Sequence, residues 1–228
     1  MHRYGFPKCV PDYLDLERSN VKFLTSNLRI ASESEIHKSL SDLYTRLKSK
    51  HIGVLNFHGS FFSTLESKAH KVSFGACIDL SNNILKSSSY SIEIHDSTNE
   101  KRIISRIHFD IAPPGQPNKT YHPLYHCQMW GKLPPTLSTQ GCRYDKMLEG
   151  RYLSLPRIPF YPMSIALFFD MVIKELGTSE MKEALLEKAW CDLIKENEKT
   201  IILPFIMEIS SKIKVTQKPL REVFYYEP

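Results

Sequence analysis

The chain has 228 residues, of which 42% are hydrophobic and 24% are charged. This composition is typical of a globular protein with a sizeable core, and it excludes a fibrous or largely disordered chain. The 30 basic and 25 acidic residues give a net charge of +5 and are scattered along the sequence, which favours acidic partners only weakly.

The cysteines and the N-terminus indicate the compartment. The 5 cysteines form no C-x-x-C pair and no zinc-type spacing, so we expect reduced thiols, no metal site and no cofactor. The first residues lack the apolar run of a signal peptide, and the most apolar helical stretch, 165–176, is shorter than the roughly 20 residues of a membrane span. The sequence therefore predicts a cytoplasmic protein without membrane contact.

The first part of the chain, 1–70, is predicted to be mainly helical. Residues 1–30 fit both a short helix and a strand, so their structure stays open. Ser32 and Glu35 form a capping box, which indicates the start of a helix. Apolar residues then recur at helical spacing and predict a helix over 33–50 with one buried face. They are Ile36, Leu40, Leu43 and Leu47.

A sheet is predicted within 71–131, because apolar and polar residues alternate there with the period of a half-buried strand. Hairpin loops at 81–87 and 97–100 would join three runs into an antiparallel meander, and a return strand at 124–130 would add a fourth. The expected register pairs Ile78 with Tyr90, and Ile94 with Ile103. The polar face would then carry Cys77, Asp79, Glu93, His95, Arg106, His108, Asp110, His126 and Gln128.

The remaining part of the chain predicts a helical layer over 160–215. A nearly all-apolar helix at 165–176 would have Pro162 in its first turn and Gly177 as a left-handed cap. An amphipathic helix at 179–197 and a helical segment at 201–213, interrupted by Pro204, would follow.

These elements predict an α+β fold in one domain, 1–228. It is an antiparallel β-meander of about four strands, packed on one face by N-terminal and C-terminal helices. The apolar face of the sheet would meet the helices. The polar face would look the other way.

The candidate catalytic residues are His108, Asp110 and His126. Imidazole exchanges a proton near neutral pH, and a carboxylate fixes its tautomer, so this set fits acid–base chemistry on a phosphodiester. The alternative is a polar strand face that is merely solvated or covered by polar contacts.

The candidate binding residues are His122, Gln128, Arg106 and Arg157. Gln128 and Arg106 share the polar face, and His122 opens a His-Pro-x-x-His loop. A metal held by that loop is an alternative, but no Cys or Glu ligand stands nearby, so its imidazoles are expected to bond backbone carbonyls. Arg157 stands between prolines that stiffen its backbone; it fits an anion site or a salt bridge to an acidic neighbour.

Several common catalytic motifs are missing from the sequence. It contains no phosphate-binding P-loop, no dinucleotide-binding glycine motif, no G-x-S-x-G and no H-E-x-x-H. These absences argue against nucleotide-hydrolysing engines, dinucleotide oxidoreductases and the commonest hydrolases.

The segment HPLYH at 122–126, followed about thirty residues later by LPRIPFYPMS and an apolar helix, resembles an uncharacterised bacterial family, a domain of unknown function. In that family a His-Pro-x-x-His loop precedes an Arg-x-Pro segment and a terminal helical layer. The resemblance covers roughly 70–176. It implies a small companion protein of a multi-gene bacterial system, including systems directed at phage.

Two functions are therefore expected. The first is an accessory or interaction subunit of a bacterial multi-protein system, in antiphage defence or nucleic-acid processing, with protein partners from the same operon. The alternative is a small nuclease or phosphodiesterase that depends on His108, Asp110 and His126. Contact with nucleic acid is a further expectation, based on short clusters of basic residues along the chain.

Overall fold

A computed structural model of the chain describes residues 13–27, 34–48, 53–65, 67–81, 84–111, 125–129, 143–144 and 158–216. Of the residues singled out from the sequence, Ser32, His122 and Arg157 lie outside these ranges.

Two helices lie at the start of the described chain, α1 (Tyr13–Asn27) and α2 (Ser34–Lys48). Helix α1 shows that 13–27, within the segment 1–30 that the sequence left open, is helical. Helix α2 confirms the helix predicted over 33–50. The apolar residues that predicted it, Ile36, Leu40, Leu43 and Leu47, are all buried.

Within the described residues, the sheet contains five antiparallel strands in sequence order and two short additional strands. The long strands are β1 (Gly53–Leu65), β2 (Lys68–Ser81), β3 (Ile84–His95), β4 (Arg102–Ile111) and β5 (Tyr125–Met129). The short ones are β6 (Arg143–Tyr144), parallel to β4, and β7 (Ile158–Pro159), antiparallel to β5. The predicted α+β fold with an antiparallel meander is therefore confirmed.

The assignment of 1–70 to a mainly helical part was wrong, because β1 and the start of β2 lie within it. Strand β1 alternates like the others, but Gly59 occupies one of its inward positions and interrupts the apolar pattern. A Cβ atom at Gly59 would lie 2.8 Å from the ring of Phe74 and 2.9 Å from Ile36. Helix α2 therefore packs too closely on β1 for a side chain at this position.

The predicted register was wrong by two residues at both hairpins, although the faces were right except at Ile103. Tyr90 pairs with Ala76 and Phe109, and Ile94 pairs with Ser105. A shift of two residues keeps every side chain on its face, which is why the alternation predicted the faces correctly. The register also changes between Ile94 and His95, a β-bulge that places Ile103 opposite His95 on the polar face.

Helix α3 (Ile165–Leu176) is the predicted apolar helix, and its ends differ from prediction. The Ser164 side chain accepts a hydrogen bond from the Leu167 backbone N–H and caps the helix, so Pro162 lies before the first turn. Gly177 has φ −68° and ψ 156°, which is extended and not left-handed. Glycine is still favoured there, because a Cβ would lie 2.5 Å from the Ile173 carbonyl oxygen.

The helix predicted over 179–197 is divided into α4 (Ser179–Ala184) and α5 (Lys188–Asn197). A π-helical segment, Glu198–Ile202, leads directly into α6 (Leu203–Thr216). Pro204 does not interrupt this helix as predicted. It lies in the first turn of α6, just after the wider π-helical turn. None of the described helices has the length and hydropathy needed to span a bilayer.

The main core lies between the apolar face of the sheet and the helices. The ring of Phe169 on α3 has its centroid 5.4 Å from that of Phe57 and 5.3 Å from that of Phe74. The ring of Phe168 lies 5.1 Å from that of Tyr90. These contacts confirm that helices cover the apolar face.

A buried carboxylate, Glu17 of α1, joins the helices to the sheet. Its oxygens accept hydrogen bonds from the Ile165 backbone N–H at 3.1 and 3.2 Å, from Asn20 Nδ2 at 3.0 Å and from the Tyr90 hydroxyl at 3.4 Å. Asn20 and Asn197 exchange two amide hydrogen bonds of 2.9 and 2.8 Å, which link α1 to α5. Burial raises the pKa of Glu17, and the hydrogen bonds it accepts offset this only in part.

The raised pKa of Glu17 predicts a pH-dependent stability. The folded chain holds this proton more tightly than the unfolded chain, so the contribution is fully present below the ordinary pKa of 4.5 and is lost as pH rises through the folded value. Glu17→Gln keeps an acceptor for Ile165 and removes the titration. We expect the free energy of unfolding, measured in urea, to fall less with rising pH in this variant than in the wild type.

Asp15 provides the matched control, because it lies on the same helix with 66% of its side chain exposed. Asp15→Asn should follow the wild-type pH dependence. Parallel curves for the wild type and Glu17→Gln would contradict the account of Glu17.

Candidate acid–base site

The polar face of β4 and β5 is buried, which the alternation did not predict. Arg106 is 4% exposed, His108 2% and His126 5%. Strand β4 therefore has two buried faces, and its polar side chains need partners within the protein.

The three candidate catalytic residues meet at one carboxylate oxygen. His108 and Asp110 lie two residues apart on one face of β4, and the antiparallel register places His126 of β5 opposite Asp110. His108 Nε2 lies 3.1 Å from Asp110 Oδ2, and His126 Nε2 lies 3.6 Å from the same oxygen. Two imidazoles from different strands thus share one carboxylate.

The second carboxylate oxygen of Asp110 accepts a hydrogen bond from the Ser89 hydroxyl on β3. Burial alone would raise the pKa of Asp110. The hydrogen bond from His108, the charge on that ring, the Ser89 hydroxyl and the charge on His126 outweigh burial and hold the pKa below 3.8. Asp110 is therefore a carboxylate at neutral pH.

His108 keeps one ring nitrogen available. Its Nδ1 atom is buried and has no hydrogen-bond partner among the described residues. With Nε2 donating to Asp110, the neutral ring carries a lone pair on Nδ1; this tautomer is assigned from the hydrogen bond. A buried imidazole nitrogen with a free lone pair can accept a proton.

Of the four candidate binding residues, the structure describes two, Arg106 and Gln128. Arg106 donates from Nη2 and Nε to Glu93 Oε1 at 2.7 and 2.9 Å, so its charge is matched by a buried carboxylate. Gln128 is half-buried and lies opposite His108 in the β4–β5 register. His122 and Arg157 lie outside the described residues.

Ser89 is a site residue that the sequence reasoning missed. It pairs with Asp110 and belongs to the same alternation as Ser91 and Glu93, so that pattern, extended by one step, would have included it. In the part of the chain that the structure describes, no group of 3 or more His, Cys, Asp or Glu side chains is arranged to hold a metal ion.

Comparisons with known proteins do not assign the chain to a family. No family model, no curated protein and no solved structure matches the chain. Membership of the bacterial family that the HPLYH and LPRIP segments resemble therefore stays a prediction.

The lowered pKa of Asp110 predicts that the cluster is weakened in acid. A carboxyl group whose folded pKa is lowered stabilises the fold above its unfolded pKa, and this contribution is lost as pH falls below 3.8. Asp110→Asn should cost about 2–4 kcal/mol at neutral pH, because the imidazoles lose their shared carboxylate. Chemical denaturation should show this difference shrinking at low pH.

The control for this experiment is Asp79→Asn, which changes a half-buried carboxyl group on the same face of the sheet. It should cost less and should not reproduce the acid-dependent difference. A neutral-pH stability of Asp110→Asn equal to that of the wild type would contradict the described cluster.

Proposed function

We propose that the chain is a small His/Asp-dependent nuclease or phosphodiesterase, with His108, Asp110 and His126 as its reaction centre. The observation that supports this proposal is the approach of both Nε2 atoms to Asp110 Oδ2, at 3.1 and 3.6 Å. Phosphodiester cleavage needs one group that removes a proton from the attacking hydroxyl and one that protonates the leaving oxygen. Two imidazoles held beside one carboxylate supply both groups.

The geometry supports distinct roles for the three residues. His108 is assigned as the general base through Nδ1, which has no partner among the described residues; since this atom is buried, catalysis requires a movement that opens it to the substrate. His126 is the general acid, and Asp110 orients both rings and stabilises the positive charge that forms on them. The side chain of Asp110 is 24% exposed, so the reaction centre meets solvent at the carboxylate.

The net charge of +5 weakly favours a polyanionic substrate. Arg106 is not assigned to substrate, since Glu93 already matches its charge. The substrate class proposed is therefore a phosphodiester, with single-stranded RNA and DNA as the forms that leave each linkage most accessible.

Replacing the rings tests this proposal. His108→Gln and His126→Gln keep a donor near the Nε2 position and remove proton transfer. Each should lower cleavage of single-stranded RNA, single-stranded DNA or bis(p-nitrophenyl) phosphate by about 10²–10⁴-fold. The melting temperature should change little, because the contact with Asp110 is kept.

His70→Asn is the matched control. His70 is a buried histidine of β2 whose Nδ1 lies 2.8 Å from the His95 carbonyl oxygen, and asparagine can keep that contact. This variant should keep full activity. A wild-type protein that cleaves none of the three substrates, or a fully active His126→Gln, would refute the enzymatic proposal.

The second candidate function is an accessory or interaction subunit of a bacterial multi-protein system, and a different observation favours it. Helix α6 exposes an apolar stripe of Leu203, Ile206 and Met207, with 50%, 51% and 63% of their surfaces exposed. Their spacing of three and four residues places them on one face of the helix. Apolar stripes of this kind bind partner proteins, and here the partner would be encoded in the same operon.

Charges placed on this stripe test the second candidate. Ile206→Glu and Met207→Lys should abolish co-purification with the products of neighbouring genes, because a buried unpaired charge opposes binding. Glu183→Lys changes an exposed position of helix α4, outside the stripe, and should keep the complex. If the neighbouring gene products still co-purify with both stripe variants, the stripe is not the surface that binds the partner.

A further inference from the structure

Strand β1 is the edge of the described sheet. It pairs with β2 over its whole length, from Gly53 to Leu65, without a bulge. Two contacts with α2 show which backbone groups point away from β2. The His58 N–H donates to Ser39 Oγ at 3.1 Å, and the Val54 carbonyl accepts from Arg46 Nη2 at 3.0 Å.

Backbone groups alternate along an antiparallel strand, so the even-numbered residues of β1 all point outward. Among the contacts of the described residues, helix α2 supplies hydrogen-bond partners at Val54 and His58. Farther along, the outward groups of Ser60, Phe62 and Thr64 have no hydrogen-bond partner among the described residues. We call these three residues the open edge.

The open edge lacks the usual protections of an edge strand. The sequence from 60 to 64 is SFFST, with no charge and no proline. Proteins usually protect exposed edges with lysine, proline or a bulge, since unpaired strand groups recruit another strand. Phe62, at the centre of the open edge, also exposes 54% of its surface.

We propose that the open edge pairs, antiparallel, with the open edge of a second copy of this chain. The pairing is centred on Phe62, so that each Phe62 lies opposite the other and Ser60 lies opposite Thr64. The pairs of even-numbered residues in this register join residues whose backbone groups point outward, so each of these pairs can exchange two hydrogen bonds. The two phenylalanine rings then lie side by side, and each covers apolar surface of the other.

Self-complementarity is the reason to choose a second copy over an unrelated peptide. A two-fold axis through Phe62 satisfies both edges with one set of contacts. The pairing also ends by itself, because His58 of one copy would face position 66 of the other, where β1 has ended. In each copy, helix α2 stays beside its own strand β1. The assembly is therefore a closed dimer.

Sedimentation of the full chain over a dilution series tests the proposal. The wild type should be a dimer, and Phe62→Lys should weaken it by roughly tenfold or more, because two like charges would meet on the axis. Thr64→Pro should also weaken it, since it removes an outward N–H that the β1–β2 ladder does not use. Val54→Lys is the control; it changes an exposed residue where α2 covers the edge and should leave the dimer intact.

A cross-link tests the register directly. Residues opposite each other in a hydrogen-bonded antiparallel pair have Cα atoms about 5.5 Å apart, which a disulfide can span. Oxidised Phe62→Cys should therefore form a covalent dimer that neither Val54→Cys nor the wild type forms. A wild type that stays monomeric, a dimer that resists both Phe62→Lys and Thr64→Pro, or a Phe62→Cys that does not cross-link would overturn the proposal.

Discussion

The pairing of β4 with β5 is the constraint on which the candidate site depends. The two-residue period of β4 puts His108 and Asp110 on one face, and only the antiparallel register brings His126 opposite Asp110. A shift of one residue between these strands would turn His126 to the other face and break the shared contact. The chemistry proposed for this chain is thus a consequence of strand register.

Two carboxylates, the buried Glu17 and the partly buried Asp110, show how surroundings set opposite proton affinities in one protein. Glu17 is held by backbone, amide and hydroxyl donors, and burial keeps its pKa raised. Asp110 has two imidazoles and a serine hydroxyl beside it, and these keep its pKa lowered in spite of burial. The first group ties the helices to the sheet. The second group has the charge and the neighbours that proton transfer requires.

The sequence predicted the faces of the sheet well, because alternation depends only on neighbours along the strand. It did not predict the register, since the irregularities between Asp79 and Leu80 and between Ile94 and His95 have no signature in the spacing of apolar residues. Strand β1 was missed because Gly59 interrupts its pattern for a reason of packing against α2. The sequence did not predict contacts between distant segments: Glu17 bonds a residue 148 positions away, and it lies in a segment whose structure the sequence left open.

The most direct measurement of the central claim is the ¹⁵N chemical shift of the two ring nitrogens of His108 in its neutral form. The account predicts a proton on Nε2, donated to Asp110, and a free lone pair on Nδ1. It also predicts that Asp110→Asn shifts the ring signals of both His108 and His126. A neutral His108 protonated on Nδ1, or a His126 ring whose signals ignore the change at Asp110, would contradict the shared site.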